Sequence, residues 1–132
     1  IGIVHAGWQG TNQKIAKVAV EKMQKCFGSK PEHILAGIGP SICQDCYEVG
    51  PEVYSSFRVN FSEKAEEFFE DHDGHKYLDL WAANRSTLES AGVNEIETAG
   101  LCTACNLDDW FSHRQENGKT GRFGVLMKIL DN

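Results

Sequence analysis

At 132 residues with 41% apolar side chains and no low-complexity stretch, the chain has material for one domain with its own core. A formal net charge of -6, with acids crowded over residues 63–73, leaves no basic stripe to neutralise phosphates and argues against a nucleic-acid partner. No segment approaches the ~18 consecutive apolar residues of a membrane span and no basic-then-apolar leader is visible, so no membrane partner and a cytoplasmic location are expected.

The first stretch, Ile1-Gly2-Ile3-Val4, is an apolar run that stops at His5 and the glycine-bracketed turn Gly7-Trp8-Gln9-Gly10. Its pattern predicts a buried strand that carries His5 at its tip. Thr11 offers a capping oxygen, and Ile15, Ala16, Ala19, Val20, Met23 and Phe27 recur at helical spacing, which predicts a helix over residues 11–27 stopped by Gly28. His5 would then stand where a strand end meets a helix N-terminus, a common ligand position in open α/β sheets. From spacing alone, the pattern favours a core histidine satisfied by a backbone carbonyl.

Residues 34–39 read as a second buried strand ended by Pro40. Strand, helix, strand is a crossover unit, and its two strands are expected to be parallel neighbours, with His5 beside the segment after Gly39. Pro51 then opens a short helix, and Asp79 caps another over residues 80–91 that Gly92 stops. A short strand is expected over 96–99 and a covered one over 122–130.

Five cysteines include two pairs, Cys43-x-x-Cys46 and Cys102-x-x-Cys105. Four thiolates can enclose a tetrahedral zinc, and a single pair can cycle as a redox couple. The wide separation and the lack of Gly-rich knuckles favour thiols that line a pocket instead. His72 and His75, flanked by acids around Gly74, read as an exposed turn rather than a metal site. Arg122, next to Lys119 and Gly121, is a candidate anion fork, and Glu48 a candidate general acid or base close to His5.

Taken together, His5-Ala6-Gly7-Trp8-Gln9-Gly10, Gly39-Pro40-Ser41-Ile42, Cys46-Tyr47-Glu48-Val49-Gly50, Cys102-Thr103, Phe111-Ser112-His113-Arg114 and Gly118-Lys119-Thr120-Gly121-Arg122 resemble the laccase-domain family, also called the multicopper polyphenol oxidase or peptidoglycan-editing-factor family. The resemblance spans the whole chain in order. It implies an α/β (α+β) fold, a mixed β-sheet layered with helices of the CNF/laccase-domain-like kind. It also implies a zinc or copper held by two histidines and a cysteine. The histidine of His-Ala-Gly-Trp falls on His5. The other two ligands belong to motifs that precede it, so residues 1–132 are expected to be a single domain forming the C-terminal half of a longer protein, with the N-terminal half as its partner.

The family's activities include phosphorolysis of purine nucleosides (adenosine, inosine and methylthioadenosine), adenosine deamination, polyphenol oxidation, and hydrolytic editing of peptidoglycan precursors. An anion site beside a polarising centre suits phosphorolysis, with purine nucleoside and phosphate as substrates. Multi-electron oxidation would need several coppers and more histidines than this chain offers. The reading of the site is therefore His5 as metal ligand or catalytic base, Glu48 as its catalytic companion, Arg122 and Arg114 on substrate, and Cys43 and Cys46 lining the approach. An inert half-chain is the contrasting possibility.

Overall fold

In the computed structural model, which describes residues 1–130, two apolar clusters organise the layers. The first is built around Phe57, Phe68 and Leu78, each at most 1% exposed. Burying side chains of this size contributes about 1.5–3 kcal/mol apiece. Phe57 sits on helix α3 (Pro51–Phe61), whose Pro51 occupies the first turn, where a missing N–H costs nothing. A 3₁₀ turn, Ser62–Phe68, then leads into an antiparallel hairpin of β3 (Phe69–His72) and β4 (His75–Leu78). Asp73 and Gly74, with φ of 54° and 84°, supply the two left-handed residues that a tight hairpin turn needs. The short strand β2 (Glu48–Val49) pairs antiparallel with the other edge of β4.

The second cluster holds Ala16, Val20, Leu88 and Val93. It lies between helix α2 (Ile15–Phe27), helix α4 (Leu80–Ser90) and the parallel pair β1 (Leu35–Ile38) and β5 (Glu95–Thr98). Asp79 caps α4 by accepting the Ala82 N–H at 2.9 Å, and Gly92 leaves the helix at φ 88°. Arg85 of α4 donates to the Ile96 carbonyl and the Thr98 hydroxyl, fastening the helix to β5. The fold is mixed α/β, with parallel and antiparallel sheets layered on helices. Among the described residues no helix is long and apolar enough to cross a membrane.

Four expectations are corrected. Residues 1–4 form no strand, and Ile1, Ile3 and Val4 are exposed; the parallel neighbour of β1 is β5, in register Leu35↔Glu95. A strand needs a partner for its N–H and C=O groups, and among the described residues none lies beside 1–4. The expected strand over 34–39 is shorter and is covered on one face, leaving Leu35 82% exposed. The helix expected over 11–27 is two, α1 (Trp8–Asn12) and α2, broken at Lys14, whose φ is 57°. Residues 122–130 form no strand either, and Leu126 is 100% exposed.

Candidate functional site

The turn after His5 is fixed from beneath. Thr11, fully buried in α1, donates to the Ala6 carbonyl at 3.1 Å and accepts from the Asn84 amide of α4 at 2.9 Å. That relay ties the backbone beside His5 to the core helix. The imidazole itself is exposed. A Cβ on Gly7 would stand 3.1 Å from His5 Nε2, so the glycine leaves the ring its space. His5 is thus an accessible group at a helix entrance, rather than a buried core histidine.

Three of the sequence motifs meet at a cleft of about 510 Å³. Trp8 comes from the turn after His5, Tyr47 and Glu48 from the segment around β2, and Arg114 from the Phe-Ser-His-Arg segment. The Arg114 guanidinium lies 5.0 Å from the Tyr47 ring centroid and donates through Nη1 to the Glu48 carbonyl oxygen. One edge of the fork is thereby held while other N–H groups remain for an anion. Burial pushes the Tyr47 phenol above its ordinary value, and the Arg114 charge offsets part of that. Opposite, Glu48 Oε1 lies 2.5 Å from Nδ1 of His75, the first residue of β4. The β2–β4 pairing sets this contact by placing Glu48 across from Tyr77. His75 lines the cleft although the sequence reading left it in an exposed turn; its companion His72 turns to Glu70 at 3.2 Å.

Cys43 and Cys46 do not line that cleft. They meet Cys102 and Cys105 in a cluster whose four sulfurs all lie within 4.8 Å of one another. The cause is topological. Past the β1–β5 pair the two segments stay in parallel contact through a Ser41–Cys102 bridge, where the Ser41 N–H donates to the Leu101 carbonyl and the Thr103 N–H donates to the Ser41 carbonyl. Each segment then turns back, bringing its second cysteine to its first. The Cys43 amide donates to Cys102 Sγ at 3.3 Å, and Cys46 Sγ lies 3.4 Å from Cys105 Sγ. Burial raises the Cys43 and Cys46 thiols. Burial also acts upward on Cys102, but hydrogen bonds from Cys43 and Cys105 outweigh it and bring that thiol down to about 7.

Arg122 is not among the cleft residues, and its guanidinium donates to the adjacent Gly121 carbonyl at 2.7 Å. His5 is likewise outside the cleft lining, three positions before Trp8, which is inside it. The sequence reading brought Glu48 and Arg114 to one site without linking them, and it missed His75. The signal for His75 was the Asp73-Gly74 dipeptide, a hairpin turn that returns the following strand along its neighbour.

The comparisons with known proteins agree with this architecture. The family model for multi-copper polyphenol oxidoreductase laccase matches residues 1–130. A Deinococcus radiodurans protein named purine nucleoside phosphorylase is 41% identical over 98% of this chain and 49% of its own length. A protein named adenosine deaminase RL5, from an unknown prokaryotic organism, is 40% identical over 92% of this chain and 47% of its own. Among solved structures, the Bacillus licheniformis hypothetical protein YfiH superposes with a TM-score of 0.84 at 38% identity, covering 89% of this chain and 45% of that one. Geobacillus stearothermophilus YlmD gives 0.83 at 36% identity, with the same coverage of each chain. The chain spans about half the length of the curated relatives it matches. By the match of its whole described length, the chain belongs to the multi-copper polyphenol oxidoreductase laccase family.

Proposed function

We propose that the protein carrying this chain splits purine nucleosides with phosphate, and that the cleft between Trp8, Glu48, His75 and Arg114 contributes to the catalytic site. The observation behind this reading is the meeting of a held guanidinium, a carboxylate–imidazole pair and an indole in one cleft. The relatives' names supply the reaction class. In phosphorolysis a phosphate oxygen forms a bond to ribose C1′ while the C1′–N9 bond breaks, and its electron pair leaves with the purine, which takes up a proton. The free edge of Arg114 receives the phosphate. His75 donates the proton to the leaving base, and the Glu48 carboxylate stabilises the imidazolium. Trp8 offers a face on which a purine can stack. Arg122, whose guanidinium among the described residues bonds to its neighbour's carbonyl, is the second candidate cation for the anion.

His5 is accessible, and no side-chain hydrogen bond engages its ring among the described residues, which suits a ligand role. The only group of three or more candidate ligands among those residues is the cysteine cluster, so His5 would supply one donor to a shell completed from outside this chain. A zinc or copper so held would act as a Lewis acid beside the cleft. Adenosine deamination is a second reading, favoured by the relative named adenosine deaminase RL5. In that reaction Glu48 would take the proton from a water that attacks C6 and pass it to the exocyclic amine, so that the C6–N bond breaks and ammonia leaves.

The test is base release from inosine and adenosine by the full-length protein, with and without phosphate. Phosphate-dependent release, lost in His5→Ala and with a raised KM for phosphate in Arg114→Ala, is expected. Absence of release, or release indifferent to phosphate, overturns the phosphorolytic reading. Ammonia release without phosphate would favour deamination instead.

A further inference from the structure

We propose that Cys43, Cys46, Cys102 and Cys105 form a closed tetrathiolate site for a divalent zinc ion, separate from any ion bound through His5. Zinc prefers four ligands at tetrahedral positions with Zn–S near 2.3 Å, which places the sulfurs about 3.8 Å apart. The four Sγ atoms already lie within 4.8 Å of one another, so small rotations of the side chains bring them to that spacing. Chance proximity of thiols does not explain the symmetry. Each Cys-x-x-Cys pair follows one strand of the parallel β1–β5 pair, and each reverses within one turn: Gln44–Cys46 is a 3₁₀ turn on the first, and residues 102–105 bend back on the second.

The surroundings are those of a thiolate cage. The Cys43 N–H points at Cys102 Sγ at 3.3 Å, a donor that stabilises sulfur carrying negative charge. The Asn106 amide donates to the Cys102 carbonyl at 2.7 Å and holds the second turn. No lysine or arginine is needed for balance, because the ion itself neutralises half of the ligand charge. Binding replaces four S–H bonds by four Zn–S bonds and releases four protons to solvent, leaving a site of net charge two minus. All four positions are taken by protein, so the site has no place for water and its role is structural.

Its consequence is positional. Cys46 directly precedes Tyr47 and Glu48, and Tyr47 is buried in the first apolar cluster. Cross-linking the 43–46 turn to the 102–105 turn fixes the segment that carries Glu48 against the one leading to Arg114. The ion would thus hold the two sides of the cleft together without touching a substrate.

The decisive experiment measures metal on the full-length protein purified under reducing conditions and reloaded with zinc, using His5→Ala to remove any contribution from that residue. One zinc per chain in His5→Ala, with an X-ray absorption shell of four sulfurs at about 2.3 Å, is expected. Replacing zinc by cobalt in the same protein should give the intense visible and thiolate charge-transfer bands of a tetrahedral sulfur site. Cys46→Ser should weaken those bands, and Cys46→Ser with Cys105→Ser should abolish them. Should these variants fail to fold, the absorption spectrum of His5→Ala alone decides. Zinc-free protein in which all four thiols alkylate overturns the proposal. So does a Cys46–Cys105 disulfide under the same conditions, or a metal shell containing nitrogen or oxygen.

Discussion

Glu48 and His75 face each other at 2.5 Å across a two-residue β-pairing, although they are 27 positions apart in the chain. Both side chains are about half exposed or more, at 49% and 61%. A carboxylate–imidazole contact so open to water adds at most about 1 kcal/mol to stability. On the proposed phosphorolytic reading, His75→Ala is expected to leave the unfolding midpoint within a few degrees while lowering kcat/KM about 100-fold, as the loss of a proton-transfer group would. Glu48→Gln should produce a similar loss, and the double variant little more, because the two act as one unit. Steady-state kinetics of the three variants check this; a His75→Ala enzyme within about twofold of the parent would leave the pair a surface contact.

Gly7 offers a cleaner probe of His5 than His5 itself. Its backbone, φ -67° and ψ 174°, is one that any residue adopts, so a side chain there causes no backbone strain. Yet its Cβ would stand 3.1 Å from His5 Nε2, so the exposed imidazole must give by a few tenths of an ångström. Gly7→Ala should therefore keep its fold, with stability changed by less than about 1 kcal/mol. On the proposed role of His5 its activity should fall at least about tenfold, since small misplacements of a reacting group are costly. Circular dichroism melts alongside turnover distinguish the two effects; unchanged turnover would separate His5 orientation from catalysis.

How much of this was legible beforehand follows from where the information lies. The caps and stops, Gly28, Pro51, Asp79 and Gly92, are local chemistry, and each stands where its residue type predicts. Pairing is not local. The run Ile1-Gly2-Ile3-Val4 has strand composition, but composition does not name the neighbour, and β1 instead pairs with Glu95–Thr98. The cysteines suffered from the same gap. Spacing sets the two pairs far apart, and the parallel bridge from Ser41 to Cys102 that brings them together is a property of the sheet, invisible to spacing. The hairpin Phe69–His72 with His75–Leu78 hid behind its charges, since only one end of it enters the core, where Leu78 is fully buried.

Lys14 illustrates a second way in which a local pattern fails. The apolar periodicity runs on through residues 11–27, but Lys14 sits at φ 57° and ψ 41° and splits the helix. A non-glycine residue in that region costs about 1–2 kcal/mol. Against this, its ammonium lies 4.7 Å from the Phe61 ring centroid, worth about 0.5–1 kcal/mol at an accessible site. Lys14→Ala keeps the strain and loses the ring contact, so it should destabilise. Lys14→Gly loses the contact and relieves the strain, so it should be more stable than Lys14→Ala by about 1 kcal/mol, the reverse of the usual helix ranking. Urea unfolding of the two variants measures the difference, and an alanine variant equal to or above glycine would contradict it.

Glu116 gives a prediction in pH. The Thr120 hydroxyl and the Ser112 N–H both donate to its carboxylate, and these bonds hold its acidity below the ordinary carboxylate range. A group whose folded value is depressed adds stability that is present above its unfolded value and lost as pH falls through the folded one. The turn over residues 112–120 should therefore hold at neutral pH and loosen in acid, at a pH below that at which a free glutamate protonates. Thr120→Val removes the first-named bond, and Glu116 should then titrate closer to its ordinary value. Carboxylate chemical shifts followed by NMR across the acid range test this directly. An unchanged midpoint in Thr120→Val would mean that the hydroxyl is not what holds Glu116 ionised.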